Sequence, residues 1–371
     1  MRVTFVVPGG VDPPGGERII PFVHHLIAAT AAHHEVAVVA VGHDRESREW
    51  ELFGAPVVNV PIGRHSKADI ARVLAAVPKA AARRGRPDVV HGLWANLPGL
   101  AAMVAARRWR VPSVVTVCGG ELAAVPAIDY GGGLHSGTRR LALTALKGAT
   151  ATTVATEWMH RHVVGAGAPS PEVLPLGADA TAFSPGDAAT DPFRLIHVAG
   201  LNRVKDQDLL LQAFALAVTD EPRLTLTIAG GDTLHGHHAA LADALGVADR
   251  VTFLGHVPHG QLAEVCRNAG LHVLTSHHDA GPIAVLEAAL CGVPTVGTSV
   301  GHVADLATMD PAGARVVEGR DPAALAAAIV HLMHHDDERD ALAQTAMRWA
   351  TQHDAAFTAT AFDQLYRRLA D

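Results

Sequence analysis

Short runs of Val, Ile and Leu alternate with Ala-rich stretches along the whole chain, and this alternation constrains the fold more than any other feature. Runs of this length are typical of buried strands, and the stretches between them are typical of helices. Strands that alternate with helices pair in parallel, because a crossover helix returns the chain to the same end of the sheet. The pattern therefore predicts an α/β protein with parallel sheets. The predicted strands are Val3–Val7, Val36–Val41, Val57–Val60, Val89–His91, Val114–Val117, Thr152–Ala155, Val173–Leu176, Arg194–Ala199, Leu224–Ala229, Val251–Phe253, Leu271–Thr275, Thr295–Gly297 and Arg315–Val317.

The length of 371 residues predicts two domains, at about 150 residues for each. A hydrophobic content of 49% with 18% charged residues indicates a well-buried enzyme and argues against disorder. The stretch from Ala182 to Pro192 is rich in turn residues and poorly periodic, which is typical of a linker. We therefore expect one domain over residues 1–184 and a second over residues 185–349. The closing segment, Asp336 to Asp371, is predicted to be helical.

Several classes of protein are disfavoured by the sequence. No uninterrupted apolar run reaches the roughly 18 residues that a membrane span needs. The first residues, Met1 to Pro8, fit a strand better than a signal peptide. Three cysteines, Cys118, Cys266 and Cys291, are odd in number and far apart, which favours reduced thiols in a cytoplasmic protein. No nucleic-acid partner is expected.

The charge is unevenly distributed, with an excess of Lys and Arg in the N-terminal half and an excess of Asp and Glu in the C-terminal half, for a net charge of −7. Basic residues cluster at Lys79 to Arg86, at Arg107 to Arg110 and at Arg139 with Arg140. These clusters fit either solvated helix faces or a surface that meets an anionic acceptor or lipid. The second interpretation predicts peripheral contact with the inner face of a membrane.

The stretch from Asp279 to Gly292 carries the strongest functional signal. It follows a predicted strand and loop, Pro282 suits the first turn of a helix, and Gly292 with Pro294 ends that helix. A loop and helix N-terminus beyond the carboxyl end of a strand is where α/β proteins bind anions. Asp279 and Glu287 lie eight residues apart, so that one acid can approach the sugar end of a ligand and the other its far end.

This D-x7-E arrangement resembles the E-x7-E donor-binding signature of the family 4 retaining glycosyltransferases (glycosyl transferases group 1), with Asp279 in place of the first Glu. The segments Pro87 to His91, Leu174 to Asp179 and Phe362 to Tyr366 also resemble family landmarks, so the resemblance spans nearly the whole chain. It implies the GT-B fold, in which two Rossmann-like domains face a central cleft. It also implies that a C-terminal helix, at about residues 350–371, crosses back to the N-terminal domain.

The resemblance implies transfer of a hexose from a nucleoside-diphosphate sugar, with UDP or GDP as the expected nucleotide, to an acceptor that the sequence does not identify. A glycan, a lipid-linked molecule and a small molecule all remain open as acceptors. The family is usually retaining and needs neither a cofactor nor a metal, so a metal-independent enzyme is expected. Two alternatives stay open: a GT-B nucleotide-sugar epimerase, and a non-catalytic nucleotide-sugar-binding protein in which Gly200 and Cys118 mark a decayed site.

The side chains expected to carry catalysis are Lys205, Arg203 and Asp279. The loop from Ala199 to Lys205 resembles the diphosphate-binding loop of the family, and a cation there neutralises a departing diphosphate. The usual Arg of that loop is replaced by Gly200, and Arg203 is expected to supply the missing charge. The resemblance assigns Glu287 to the ribose hydroxyls and Asp279 to the transferred hexose, although Asp279 also fits a helix N-cap.

Backbone N–H groups are expected to bind phosphate at two positions. Gly15 and Gly16 precede a helix predicted from Glu17 to Ala32, so the N–H of Gly16 is expected to face a phosphate. Gly281 occupies the corresponding position before the helix that carries Glu287. Both glycines are therefore predicted to bind the donor.

The acceptor side is assigned to Cys118, Gly119 and Glu121. Many relatives have His-Gly-x-Asp after the corresponding strand, so Cys118 replaces the His and Glu121 replaces the Asp. No neighbour in the sequence would generate a thiolate, which favours Cys118 as a small lining residue rather than a nucleophile.

The chain contains 24 histidines, several of them in adjacent pairs. The pairs are scattered and follow no zinc-ligand spacing, so they are predicted to lie at the surface or in loops, without a metal site. His277 and His278 are the exception, because they directly precede Asp279 and are predicted to line the donor pocket.

Overall fold

The computed structural model describes residues 1–16, 18–63, 66–186 and 191–371. The chain divides into two compact units. The N-terminal unit contains residues 1–176 together with residues 355–371, and the C-terminal unit contains residues 177–354. Part of the predicted linker, residues 187–190, lies outside the described residues.

Each unit is built on one sheet of short, buried strands. The strands are β1 (Arg2–Val7), β2 (Glu35–Val41), β3 (Arg48–Leu52), β4 (Ala55–Val60), β5 (Val89–Leu93), β6 (Ser113–Val117), β7 (Ala151–Val154), β8 (Glu172–Val173), β9 (Arg194–Val198), β10 (Thr225–Ala229), β11 (Val251–Gly255), β12 (Leu271–Leu274), β13 (Thr295–Thr298) and β14 (Ala314–Val317). The N-terminal sheet has the order β3-β4-β2-β1-β5-β6-β7-β8, and the C-terminal sheet has the order β11-β10-β9-β12-β13-β14. These two α/β sheets confirm the predicted fold class.

Helices connect most of the strands. They are α1 (Pro21–Ala31), α2 (Lys67–Ala81), α3 (Leu97–Trp109), α4 (Ser136–Gly148), α5 (Glu157–Gly165), α6 (Gln207–Asp220), α7 (His237–Ala244), α8 (His259–Arg267), α9 (Ile283–Leu290), α10 (Gly301–Ala307), α11 (Pro322–His334), α12 (Asp336–Gln352) and α13 (Ala355–Ala370). Among the described residues, every helix falls short of the length and apolar character that a membrane span requires.

One strand and its pairing were not predicted. The strand β3 pairs antiparallel with β4, whereas the sequence pattern predicted parallel pairing throughout. Phe53 and Gly54 form the turn between the two strands, with φ of 52° and 76°. Positive φ at both central residues is the geometry of a two-residue hairpin, which brings the strands together directly without a crossover helix.

Two predicted boundaries are also wrong, and the closing segment is helical as predicted but divided. The first helix begins at Pro21, where the N–H of Ile20 just before it donates to the carbonyl oxygen of Gly10 at 3.0 Å, whereas its predicted first residue, Glu17, lies outside the described residues. The strand predicted from Val173 to Leu176 is shorter in the structure, where β8 contains only Glu172 and Val173. The closing helical segment is two helices, since α12 ends before His353 and α13 starts at Ala355.

The two units divide at residues 176 and 177 rather than at the predicted boundary of 184 and 185. The ring of Phe183 packs against that of His259, with centroids 5.3 Å apart. The guanidinium of Arg267 donates to the carbonyl oxygen of Ser184 at 2.7 Å. The segment that leads into the predicted linker is therefore already part of the C-terminal unit.

The last helix packs into the N-terminal unit. Phe362 and Tyr366 of α13 are fully buried. The hydroxyl of Tyr366 lies 2.7 Å from Nδ1 of His91 on β5, and Nε2 of His34 lies 2.6 Å from a carboxylate oxygen of Asp363. Burial lowers the pKa of His91 to about 3, so the ring stays neutral between its two hydroxyl partners, Tyr366 and Thr116.

The strand order places a crevice in each sheet. In the C-terminal sheet the chain moves from β9 to β10 and β11 on one side, and then crosses to β12 on the other side of β9. Loops that follow β9 and β12 therefore leave the sheet in opposite directions, which opens a ligand-binding crevice at their carboxyl ends. The N-terminal sheet has the same arrangement at β1, between β2 and β5.

Candidate functional site

The two loops at the C-terminal crevice are joined to each other. The first loop contains residues 199–206 after β9, and the second contains residues 275–282 after β12. The hydroxyl of Thr275 donates to the carbonyl oxygen of Lys205 at 2.9 Å. The N–H of His277 donates to the carbonyl oxygen of Val204 at 2.7 Å. These bonds fix the first loop to the second.

The same loops bring together two of the residues predicted to be catalytic. The ammonium of Lys205 donates to the carboxylate of Asp279, 74 positions away in the sequence. The side chains are 24% and 14% exposed, respectively, so the pair lies at the mouth of the crevice rather than in the core. A partly exposed ion pair of this kind can exchange its partner for an anionic ligand, because solvent already screens much of its attraction.

Arg320 is a third charged residue at this crevice, and no motif in the sequence indicates it. Its guanidinium pairs with the carboxylate of Asp206 and donates to the carbonyl oxygens of Thr275 at 2.7 Å and Ser276 at 3.3 Å. Asp206 is also the N-cap of α6, accepting from the N–H of Leu209 at 3.2 Å. Arg320 therefore links both loops. It lies 44 positions after Ser276, outside any motif, so no local signal identified it.

Arg203 lies in the first loop with an exposed side chain. Within the part of the chain that the structure describes, no hydrogen bond or ion pair of Arg203 is found, unlike Lys205 and Arg320. Its predicted role as the substitute for the residue at Gly200 stays a prediction. At Gly200 itself an added Cβ would meet its nearest neighbour, Nδ2 of Asn202, only at 3.7 Å, so a side chain fits there.

Glu287 lies on α9, 4% exposed, among the buried residues Leu286, Ala288 and Leu290. One of its carboxylate oxygens is 2.7 Å from Nε2 of His259, at the start of α8. His259 was not predicted, because nothing in the residues around it indicates a site. A carboxylate offers about four acceptor positions, so this contact orients Glu287 and leaves capacity for a ligand hydroxyl.

The second loop and α9 are positioned by the glycine that begins α10. Gly301 has φ of 48°, and an added Cβ would come within 2.7 Å of the carbonyl oxygen of Asp279 and 2.6 Å of Cδ of Pro282. Only glycine allows this approach. Pro282 caps α9, which starts at Ile283, so Gly281 precedes the first helical turn as predicted.

The two histidines predicted to line the donor pocket lie in the second loop. Nε2 of His277 is 3.3 Å from the carboxylate of Asp206, and burial lowers the pKa of His277. His278 is buried. His277 thus contacts the network formed by Arg320 and Asp206.

The prediction that Gly15 and Gly16 open a helix is wrong. The N–H of Gly16 donates to the carbonyl oxygen of Pro13 at 2.9 Å, and α1 starts only at Pro21. The loop is instead organised by Asp12, whose carboxylate accepts from Arg18 at 3.0 Å and lies 2.8 Å from Nε2 of His43. Burial raises the pKa of Asp12, but the hydrogen bonds from His43 and Arg18 lower it overall.

Glu121, predicted to lie on the acceptor side, turns its carboxylate towards the backbone. The carboxylate accepts from the N–H groups of Gly119 at 2.7 Å, Ala95 at 2.9 Å and Cys118 at 3.1 Å. It is 6% exposed, and burial raises its pKa. Burial also raises the pKa of the Cys118 thiol, which keeps that group protonated. Glu121 therefore holds the loops after β5 and β6 together.

Some of the basic clusters have partners inside the N-terminal unit. Arg83 pairs with the carboxylate of Glu49, and Arg86 donates to the carbonyl oxygens of Trp109 at 3.2 Å and Arg110 at 3.3 Å. These contacts assign two members of the clusters a structural role. Contact of this surface with an anionic acceptor or a lipid stays a prediction.

Comparisons with known proteins agree with this fold. Sucrose-phosphate synthase from Thermosynechococcus elongatus superposes with a TM-score of 0.81 at 18% identity, covering 99% of this chain and 98% of that one. Anabaena HepE, solved in complex with UDP-glucose, superposes with a TM-score of 0.77 at 18% identity and full coverage of both chains. The fold is thus that of the GT-B glycosyltransferases.

The sequence comparisons identify the family to which the chain belongs. A family model described as "Glycosyl transferase 4-like domain" matches residues 19–178, and one described as "Glycosyl transferases group 1" matches residues 180–349. A D-inositol 3-phosphate glycosyltransferase from Geodermatophilus obscurus is 32% identical over 87% of this chain and 78% of its own length. Its counterpart from Acidothermus cellulolyticus is 28% identical over 88% of this chain and 80% of its own length. The chain belongs to the group 1 glycosyltransferases, which confirms the predicted family and the prediction of an enzyme.

Proposed function

We propose that this glycosyltransferase moves a hexose from a nucleoside-diphosphate sugar to a hydroxyl acceptor, with retention of the anomeric configuration. The observation that carries the proposal is the meeting of Lys205 and Asp279 at the crevice between β9 and β12. Glu287 follows on the helix that leaves the same loop. The similarity to a HepE structure that contains UDP-glucose favours a uridine nucleotide.

In the proposed reaction the diphosphate takes the place of Asp279 as the partner of Lys205. The ammonium then stabilises the charge that develops on the phosphate as the bond from the anomeric carbon to the phosphate oxygen breaks. Asp279, released from Lys205, accepts hydrogen bonds from the hexose, and Glu287 accepts them from the ribose. The acceptor oxygen bonds to the anomeric carbon, and its proton passes to the departing phosphate oxygen.

Calorimetric titration with UDP-, GDP- and ADP-glucose tests the donor. We expect one of the three to bind, with UDP-glucose the tightest, and Lys205→Ala to weaken that binding. Proton NMR of the glycoside formed from an α-linked donor tests the stereochemistry. An α-linked product supports retention, whereas a β-linked product contradicts it.

For the acceptor we propose an anionic polyol of the inositol phosphate type. Two observations support this: the name shared by the relatives at 28–32% identity, and the excess of Lys and Arg in the N-terminal half. Mass spectrometry of a mixture of UDP-glucose, D-inositol 3-phosphate and enzyme is expected to show a hexosyl inositol phosphate. Transfer to a lipid-linked acceptor but not to inositol phosphate would overturn the choice of acceptor and leave the donor assignment intact.

A further inference from the structure

Three potential metal ligands meet in the C-terminal unit, on the helices that follow β9 and β10. Asp208 lies in the first turn of α6, and His237 and His238 are the first two residues of α7. Since β9 and β10 are parallel neighbours, the helices that follow them start at the same edge of the sheet. The scattered histidine pairs were predicted to lie at the surface or in loops, which is wrong for His238 because it is buried on α7.

The distances within this cluster match the ligand shell of a small cation. Nε2 of His237 lies 2.9 Å, and Nε2 of His238 lies 3.4 Å, from the same carboxylate oxygen of Asp208. All three ligand atoms lie within 4.8 Å of one another. A tetrahedral ion with ligands at about 2.0 Å separates those ligands by about 3.3 Å. Small rotations of the side chains therefore suffice to enclose an ion.

The position of His238 also favours a metal. Its side chain is 2% exposed, and its Nε2 faces the Asp208 carboxylate at 3.4 Å, so a buried ring presents a nitrogen to the cluster. The carboxylates of Asp208, Asp232 and Asp206 lie near this ring, and their negative charge favours a cation at this position.

We propose that Asp208, His237 and His238 bind a divalent transition-metal cation of the zinc type. Two imidazoles and one carboxylate are typical ligands of such ions, whereas Mg²⁺ and Ca²⁺ prefer oxygen ligands alone. The side chains of Asp208 and His237 are 45% and 49% exposed, so an ion has access from solvent. The ion joins the start of α6 to the start of α7. Its ligand on α6, Asp208, lies three positions after Lys205. Zinc binding at this site is independent of the proposed transfer reaction.

The test is calorimetric titration of chelator-treated protein with ZnCl2. The wild-type chain is expected to bind one equivalent of Zn²⁺ at a site with higher affinity than any other zinc site of the protein. Asp208→Asn and His237→Ala both change exposed side chains. Each is expected to lower the affinity of that site for Zn²⁺ at least about tenfold. The matched control is His235→Asn, since His235 is exposed, lies two positions from His237 and has φ of 54°, which Asn tolerates.

A second measurement uses Co²⁺ as the probe. Intense visible absorption that is lost in both cluster variants and kept in His235→Asn supports the tetrahedral site. Thermal melting of the zinc-treated wild type is expected to occur at a higher temperature than that of the chelator-treated protein, and the cluster variants are expected to lose this difference. The proposal is overturned if the wild type does not bind zinc at a ratio of one to one, or if Asp208→Asn and His237→Ala bind zinc as tightly as the control.

Discussion

The two units share a strand arrangement but use the charges at their crevices differently. In the C-terminal unit, Lys205 and Asp279 pair with each other at the mouth of the crevice, with both side chains partly exposed. In the N-terminal unit, Glu121 accepts from three backbone N–H groups, and Asp12 is held by Arg18 and His43. The topology thus determines where a loop lies. Whether the loop binds a ligand depends on which partners its charged groups already have.

The largest effect is expected for Lys205→Ala. Removing a cation that stabilises a departing diphosphate should lower turnover by about 10²-fold, as the loss of one preorganised donor does in other enzymes. Initial rates of nucleoside diphosphate release measure this. The control is Lys147→Ala, which removes an exposed lysine on α4 of the N-terminal unit. Equal rates for the two variants would show that Lys205 does not take part in the reaction.

A smaller loss is expected when Glu287 is replaced. Glu287→Ala should weaken donor binding by roughly 1–3 kcal/mol, the usual contribution of hydrogen bonds to a charged group. His259→Ala should produce a smaller loss, because it only releases the carboxylate from its 2.7 Å contact. Glu264→Ala, on the exposed face of α8, is the control. Unchanged donor affinity in Glu287→Ala would show that the ribose assignment is wrong.

Acid should destabilise the C-terminal unit more than the N-terminal unit. Burial lowers the pKa of His197 and His302 to about 4 and that of His272 to about 3 in the C-terminal unit. In the N-terminal unit burial lowers the pKa of His91 to about 3. Between pH about 6.5 and about 4 the unfolded chain binds protons at these rings and the folded chain does not, so the free energy of unfolding falls as the pH falls.

Two spectroscopic probes separate the units in this experiment. Four of the five tryptophans, Trp50, Trp94, Trp109 and Trp158, lie in the N-terminal unit, whereas circular dichroism reports on helices in both. Urea unfolding is measured at pH 7 and at pH 5. From pH 7 to pH 5, the midpoint urea concentration followed by circular dichroism should fall more than the midpoint followed by tryptophan fluorescence. Equal shifts of the two midpoints would show that the buried histidines do not distinguish the units.

The smallest effect is expected at the position where the family usually has Arg. Because a Cβ at Gly200 has its nearest neighbour at 3.7 Å, Gly200→Arg should fold normally and bind UDP a few-fold more tightly, a gain of about 1 kcal/mol. Arg203→Ala should weaken UDP binding by a similar amount if Arg203 supplies the missing charge. Calorimetry of both variants with UDP measures the two changes. No change in Arg203→Ala would leave Arg203 as a surface residue.

The sequence located more residues of the C-terminal candidate site than of the N-terminal one. Lys205 and Asp279 lie in the loops that follow β9 and β12, and Glu287 lies on the next helix, so strand positions together with the family resemblance located them. Arg320 and His259 reach the site from distant segments, and only the packing of those segments brings them there. The loop after β1 was mispredicted because Pro13 and Gly16 form their own turn, a local hydrogen bond that the motif does not encode.

The central claim is that Lys205 exchanges Asp279 for a diphosphate, and calorimetric titration with UDP tests it most directly. The two partners of the ion pair should respond in opposite directions. Lys205→Ala should bind UDP at least about tenfold more weakly than the wild type, about 1.4 kcal/mol. Asp279→Asn should bind UDP at least as tightly as the wild type, because the ammonium no longer has a competing carboxylate. Weaker binding of UDP in Asp279→Asn, or unchanged binding in Lys205→Ala, would contradict the claim.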